Sequence, residues 1–583
     1  MNIPAHLATY LRLIVMTLIT MGASTALAGN ETVPISKLRQ QAEAQTPDAV
    51  AFLSKSIQFK SVEDFGYDLK ADTRDMLQYA FEEAKKIGFT TRLAADGLVG
   101  VLEYGEDKYG EDSETVGVLI HVDVVPANVI VDDKGKSNWT YPPFSGKVVD
   151  GYVWGRGAQD DKGALAATLW GMKLLIDNNV DIQRKVRIIL GTKEEKSFEA
   201  LTRYFQEEKQ PDYGIVPDGV YFIEGEKGIA DLQIAFKGIS APEKARETIV
   251  DWSGGTVINS VPDLSYMTFS STDITATRAA LEGAINKTTT ELKAGKSELF
   301  YGVIAPYTPD LTIMTYANFI AQFDIKNLPA GDLVLVSRGK AVHGSAPWVG
   351  RNAIIEVAFV ASLLKDLPDN AYTQAARFVA TRMGLDYYGN GLINKQNQGI
   401  PYSPPQGLRK PPLGLSGVQY YGTSSNLGLV DSDNDQNTLT LSIDFRTGLG
   451  NLNTQILDHT SYTVNLDGGT TSYVQGVGSH YPPIYSPGEH PVMKLAVQSY
   501  KDVNPDVPKT IPYLYFSPGT TYLKLVDNFV NFGPVDIYPD PYVNKFHQDD
   551  ERISVKSLTN NIVLFAHALQ LLIQADPSPV ETK

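Results

Sequence analysis

The chain has 583 residues, with 51 Lys and Arg against 67 Asp and Glu, a formal net charge of −16 and no cysteine. An acidic balance with a pI near 5.1 leaves no basic surplus for nucleic acid, and the length suffices for about two to four domains with full cores. Without cysteine there is no disulfide, no thiolate nucleophile and no cysteine zinc finger, so a metal would have to be held by His, Asp and Glu.

In chain order, the N-terminus reads as a secretory signal. Arg12 precedes the apolar run Leu13–Ala23, and Ala26-Leu27-Ala28 offers small residues for cleavage, giving 1–28 as a leader and Gly29 as the first mature residue. The run is shorter than the roughly 20 residues of a membrane span. No later stretch is long and apolar enough to cross a bilayer, so the expectation is a periplasmic or secreted protein with no stable membrane association after cleavage.

Val116–Ile120 is a β-branched apolar run ending at His121, and Lys185–Leu190 is another ending at Gly191. Between them Gly163–Asn178 carries Leu165, Leu169, Met172 and Leu175 at helical spacing, with Asp160-Asp161 in front as capping material. Strand, helix, strand of these lengths predicts a βαβ unit and a parallel sheet. Tyr213–Val216 predicts a further buried strand. The twin Tyr-Gly-Glu-Asp tracts at 104–107 and 109–112 read as a solvated hairpin loop. After residue 232 the pattern changes: Leu439, Leu441, Ile443 and Phe445 alternate with Thr440, Ser442, Asp444 and Arg446, which predicts a sheet with one wet face. Leu558, Ile562, Phe565, Leu569 and Leu572 form one face of a final helix, and 575–583 reads as a frayed tail. The fold class is α/β, a mostly parallel sheet with flanking helices, interrupted by an inserted α+β domain.

Chemistry-bearing side chains cluster in five short segments: HVDVVP from His121, GAQDDKG from Gly157, GTKEE from Gly191, Pro217-Asp218-Gly219, and Phe546-His547-Gln548. Ligands of an open parallel sheet gather beyond the carboxyl ends of its strands. His121, Glu194, Glu195 and Asp218 follow such strands and Asp160 opens the crossover helix, so they can converge. Imidazole and carboxylate suit a divalent transition metal, and a carboxylate can bridge two ions. Adjacent Glu194 and Glu195 point in different directions, so one can hold metal while the other handles a proton. Each segment alone has an ordinary reading: a structural histidine, a helix cap, a solvated pair, a turn. Their order and spacing together favour the site.

With these motifs the chain resembles the dinuclear-zinc peptidase family of PepV-like dipeptidases, carnosinases, aminoacylases, succinyl-diaminopimelate desuccinylases and glutamate carboxypeptidases. The resemblance runs from about residue 45 to 573. It includes GKAVHGSAPWVGRNAI in the middle domain, SPGTTY at 517–522 and FHQDDERI near the end; TYPPFSGKVVDGYVWGRGAQDDKG is most similar to the PepV-like branch. The resemblance implies two divalent ions, zinc first with manganese or cobalt as substitutes. His121 and Asp218 would hold one, Glu195 and His547 the other, and Asp160 would bridge them. Asp123 would orient His121. Glu194 would be the general base for a water activated by the ions. His343, in Val342–Pro347, matches the family's lid histidine, which stabilises the oxyanion. Arg446 resembles the arginine that clamps the substrate's free C-terminus. Gly519, Thr520 and Thr521 match a glycine-rich substrate loop, with Ser517-Pro518 as a departure. His567, off the apolar face of its helix, and His459, His480, His490 and His6 are needed for none of this.

The implied division is a catalytic domain over 29–235 and 478–575, a doubled PepV-like lid over 236–477 and a disordered tail over 576–583. Hinges are expected near Phe236–Gly238 and Gly476–Tyr481. A doubled lid predicts a monomer with His343 acting in cis, closing over a small peptide substrate. The functional expectation is an exported metal-dependent dipeptidase. The alternatives are an N-acyl-amino-acid amidohydrolase or carboxypeptidase of the same family, separated by tolerance of a blocked N-terminus, and an inactive peptide-binding relative, disfavoured because every ligand and the base are present.

Overall fold

The computed structural model describes residues 32–580 apart from 65, 106–107, 110–112, 128, 130–136, 240–245, 296, 298, 300–304, 324, 326–327, 394–421, 449–452, 475–479, 487, 508–514, 518, 536–544 and 577. The expected leader, much of both Tyr-Gly-Glu-Asp tracts, part of the second hinge and part of the tail therefore lie outside the described residues. Among the described residues no helix is long and apolar enough to cross a membrane.

The first sheet contains β1 (Thr90–Ala94), β2 (Val99–Tyr104), β3 (Thr115–His121), β4 (Lys185–Gly191) and β5 (Tyr213–Val216), closed by a returning strand, Phe529–Asn531. The order is β1-β2-β4-β3-β5 and then the returning strand. The last four are parallel to one another, and the β1–β2 hairpin adds antiparallel strands at one edge. The parallel strands are apolar on both faces because both are covered. Val118 and Ile120 enter a core with helices α1 (Ile35–Ile57), α2 (Ala71–Ile87), α3 (Lys162–Asp177) and the C-terminal helix Val555–Ile573. Leu119 and Ile189 face the other way, against Leu201 and Tyr204. Each such side chain removed from water contributes about 1.5–3 kcal/mol. The C-terminal helix is buried on more than its expected face: Val563, Leu564 and His567 are buried too. His567 is thus a core residue, with its Nε2 3.8 Å from the Asp502 carboxylate.

The second sheet is antiparallel throughout. Its strands are β6 (Gly228–Lys237), β7 (Glu247–Gly254), β8 (Leu264–Ser271), β9 (Asp310–Thr315), β10 (Leu333–Arg338), β11 (Ser424–Asp433), β12 (Thr438–Thr447) and β13 (Thr470–Tyr473), in the order β9-β10-β8-β7-β11-β12-β6-β13. β7 and β11 share one register pair, Gly254↔Val430. The sheet is thus two four-stranded halves joined at a narrow seam, the doubled architecture of the expected lid. Helices α4 (Ile274–Ala294) and α5 (Ala353–Ser362) cover its apolar face.

Two expectations are corrected. The boundary at 235/236 cuts through β6, which enters the second sheet at Gly228, and the short strand His480–Tyr481, beyond the boundary at 477/478, still pairs with β6. The polar face of β12 is not wet. Leu439, Leu441, Ile443 and Phe445 are in the core as expected, but Ser442, Asp444 and Arg446 are also buried, because that face closes over the first domain.

Candidate active site

The carboxyl ends of β3, β4 and β5 deliver the expected side chains to one place. His121 is the last residue of β3, paired with Gly191 at the end of β4. Glu194 and Glu195 follow β4, Asp218 follows β5, and Asp160 lies two residues before α3. His547 arrives from the far end of the chain with a left-handed φ of +59°, a conformation non-glycine residues adopt at a cost of about 1–2 kcal/mol.

Asp160 lies between the two imidazoles. Its Oδ1 is 2.9 Å from His121 Nε2 and its Oδ2 is 3.2 Å from His547 Nε2. Glu195 Oε2 is 3.0 Å from His547 Nε2, and Asp218 Oδ2 is 3.8 Å from His121 Nε2. Donor atoms of His121, Asp160 and Glu195, and of His121, Glu194 and Asp218, form two groups with all atoms within 4.8 Å of one another. The five expected ligands and the expected base thus meet around one small volume. Asp161 is the N-cap residue of α3 but makes no side-chain capping bond, and both its carboxylate oxygens lack a partner. The capping reading of the Asp160-Asp161 pair is therefore overturned.

Asp123 does more than its expected role. His121 Nδ1 lies 3.0 Å from the Asp123 backbone carbonyl and 3.6 Å from its carboxylate. Donation to that carbonyl leaves Nε2 with its lone pair toward Asp160. The carboxylate instead accepts the backbone N–H groups of Glu194 and Glu195, each at 3.1 Å, and so fixes both glutamates.

The donor set fits divalent cations. Burial, then the charge of Asp218, pushes the Glu194 carboxyl well above the usual range, and Glu194 Oε1 has no hydrogen-bond partner. Burial, then Asp160, does the same to Asp218. Burial lowers His547, but Glu195 and Asp160 outweigh it and raise the imidazole to about 10. A buried cluster that must borrow protons to balance its carboxylates lacks positive charge, which metal ions supply.

The lid adds its own groups. His343 follows β10 in the loop that Gly344 ties to Asn259, its N–H donating to the carbonyl at 2.6 Å. The His343 ring lies 4.8 Å from that of His547, within one chain. Burial, then His547 and Arg446, depresses its pKa well below the ordinary value. Its Nδ1 accepts from the Ser345 N–H at 3.1 Å, so the neutral ring carries its proton on Nε2. Arg446 points from β12 with Nε held by both oxygens of Asp444, at 2.7 and 3.0 Å. Both side chains line a cavity of about 550 Å³ that also contains Asp160, Glu194, Glu195 and Asp218. Gly519, Thr520 and Thr521 line it too. Thr521, however, gives its N–H and hydroxyl to Glu226, and the Thr520 hydroxyl donates to the Lys227 carbonyl at 2.9 Å. The three residues shape the wall more than they offer donors.

Sequence reasoning missed Glu551. Its carboxylate accepts from the backbone of Gly157, Gln159 and Asp160 at 2.9–3.2 Å and pairs with Arg156 at 2.7 Å. It clasps the loop of Asp160 to the segment of His547. Arg156 and Glu551 lie inside GRGAQDDKG and FHQDDERI, which was the only available signal.

The family model described as Peptidase family M20/M25/M40 matches residues 117–571. A Staphylococcus aureus protein (strain bovine RF122 / ET3-1), whose name reads "putative dipeptidase", is 26% identical over 505 residues, covering 86% of this chain and 90% of the relative. Human carnosine dipeptidase 1 is similar in structure with a TM-score of 0.52 at 14% identity, over 93% of this chain and 100% of that one. The di-peptidase Dug1p from Saccharomyces cerevisiae follows at 0.51 and 13%, over 93% and 99%. At these identities the two structures speak to fold.

Proposed function

Because this chain belongs to peptidase family M20/M25/M40, we propose that it is an exported two-metal dipeptidase acting on small peptides with free ends. The observation that carries this reading is Asp160, one carboxylate oxygen on each of two imidazoles. The name of the Staphylococcus aureus relative agrees with it. His121, Asp160, Glu195, Asp218 and His547 would hold the ions. Divalent ions held there, zinc being the first choice for N and O donors, would supply Lewis acidity toward the scissile carbonyl and toward water.

The chain's own groups do the rest. Glu194, buried and with a free oxygen, takes the proton of the attacking water and returns it to the leaving amine. His343, on the cavity wall beside His547, is the Nε2–H donor for the carbonyl oxygen as it becomes negative. Arg446, anchored through Nε, presents its terminal nitrogens to the substrate carboxylate. The lid histidine belongs to the same chain as the ligands, and the reading includes a monomer. Residues 1–28 direct export, with Gly29 expected at the N-terminus of the mature protein by Edman sequencing.

The test is hydrolysis of a dipeptide panel, free and N-acetylated, after chelation and after add-back of zinc, manganese or cobalt. Loss on chelation, recovery on add-back and rejection of acetylated substrates are expected. Full activity in chelator defeats the metal reading, and preferred cleavage of acetylated substrates defeats the dipeptidase reading.

A further inference from the structure

The lid wall of the cavity carries a carboxylate that the reaction above does not use. β6 and β12 pair in register as Ile229↔Arg446, Asp231↔Asp444 and Gln233↔Ser442. Directly opposed residues share a face. Ile229, Asp231, Gln233, Ser442 and Arg446 line the cavity, while the intervening Ala230, Leu232 and Ile234 enter the lid core. Two carboxylates directly opposite each other repel. Arg446 satisfies one of them by giving Nε to both oxygens of Asp444. Asp231 shares a hydrogen bond with the Asp444 carboxylate, while its Oδ1 stays buried without a partner. Burial, then the charge of Asp444, pushes the Asp231 carboxyl well above the usual range. The opposed pair thus keeps a proton on Asp231, and a cationic ligand group beside the pair can take that proton's place.

Position decides which cation. The α-ammonium of a dipeptide lies across the scissile bond from its terminal carboxylate, toward the metal ligands. The side chain of the carboxy-terminal residue starts beside Arg446. The two-residue step from Arg446 to Asp444, opposite Asp231, is about 7 Å along the strand, a span that the four-carbon stem of lysine covers. Resting on the dipeptidase reading, we propose that Asp231 recognises a cationic side chain on the carboxy-terminal residue, making the protein selective for dipeptides ending in Lys or Arg.

Ala-Lys and Ala-norleucine, which has the same four-carbon stem without the ammonium, test this in the wild-type, metal-loaded protein. The expected kcat/KM ratio favours Ala-Lys by about 10- to 100-fold, the range of a charge-assisted hydrogen bond, with most of the difference in KM. In Asp231→Asn the ratio is expected to fall toward one, while metal content matches wild type. Equal kcat/KM for the two substrates in wild type overturns the proposal without any variant. So does an Asp231→Asn protein that keeps the wild-type ratio, or one that loses both substrates in proportion, the pattern of an α-ammonium site. Failure of the dipeptidase reading looks different: no free dipeptide is turned over, and the proposal falls with it.

Discussion

Glu194 and Glu195 are neighbours in sequence with separate surroundings. Glu195 meets His547, whereas Glu194 keeps one buried oxygen free. Glu194→Gln is therefore expected to lower kcat by about 10²- to 10⁴-fold, with bound metal unchanged by elemental analysis. Loss of metal in step with activity would make Glu194 a ligand. Glu551→Ala leaves the Arg156 guanidinium buried without its carboxylate and frees three backbone donors. A destabilisation of about 3–5 kcal/mol is expected by denaturant titration. At this scale the convergence of His121, Asp160, Glu194, Glu195, Asp218 and His547 was legible, because each lies in a short motif at a strand or helix end or in a loop. Glu551 was not: within Asp549–Arg552 it looks like one more solvated acid, and only the fold shows it completely buried. Asp231 was silent for a related reason, since nothing local says that a strand acid faces a cavity.

At the scale of elements, a two-residue period reports which side of a strand is apolar. It does not report what the polar side meets. β12 was therefore read correctly as a strand and wrongly as half-solvated, and Arg446 proved to be a buried, anchored residue. The loop after β10 presents His343 as a neutral donor. His343→Ala is expected to cost about 10²- to 10³-fold in kcat, as for removal of other oxyanion donors, with little change in KM; the reverse split would place the ring in ground-state binding. Helix α5 carries a buried acid of another kind. Burial raises the Glu356 carboxyl from 4.5 to about 7, although Ser337 donates to it at 2.5 Å. Between those values the folded chain holds a proton that the unfolded chain has lost. The stability from this group is present below about pH 4.5 and is lost as pH rises through about 7. Wild-type stability is expected to decline over that window by up to about 3 kcal/mol. Glu356→Gln removes that part of the slope in chemical denaturation at stepped pH, and an unchanged slope refutes the assignment.

Over the whole molecule, one chain supplies both the acidic cluster and the histidine above it. Specific activity is expected to stay constant on dilution, with elution at a monomer mass in size-exclusion chromatography; activity falling with dilution would mean that a second copy completes the site. The two halves of the lid contribute different parts. His343 follows β10 in one half and Arg446 lies on β12 in the other, with the Gly254↔Val430 pair between them. At this seam a Cβ added to Gly428 would lie 2.7 Å from Ile258 Cα, so only glycine lets the two backbones pass so closely. The seam acts as a caliper. It sets the gap between His343 and Arg446 and thereby, in the proposed reading, how many residues fit between them. A wedge such as Gly428→Ala should reset that gauge, shifting the preference from two residues toward three without disturbing the metals.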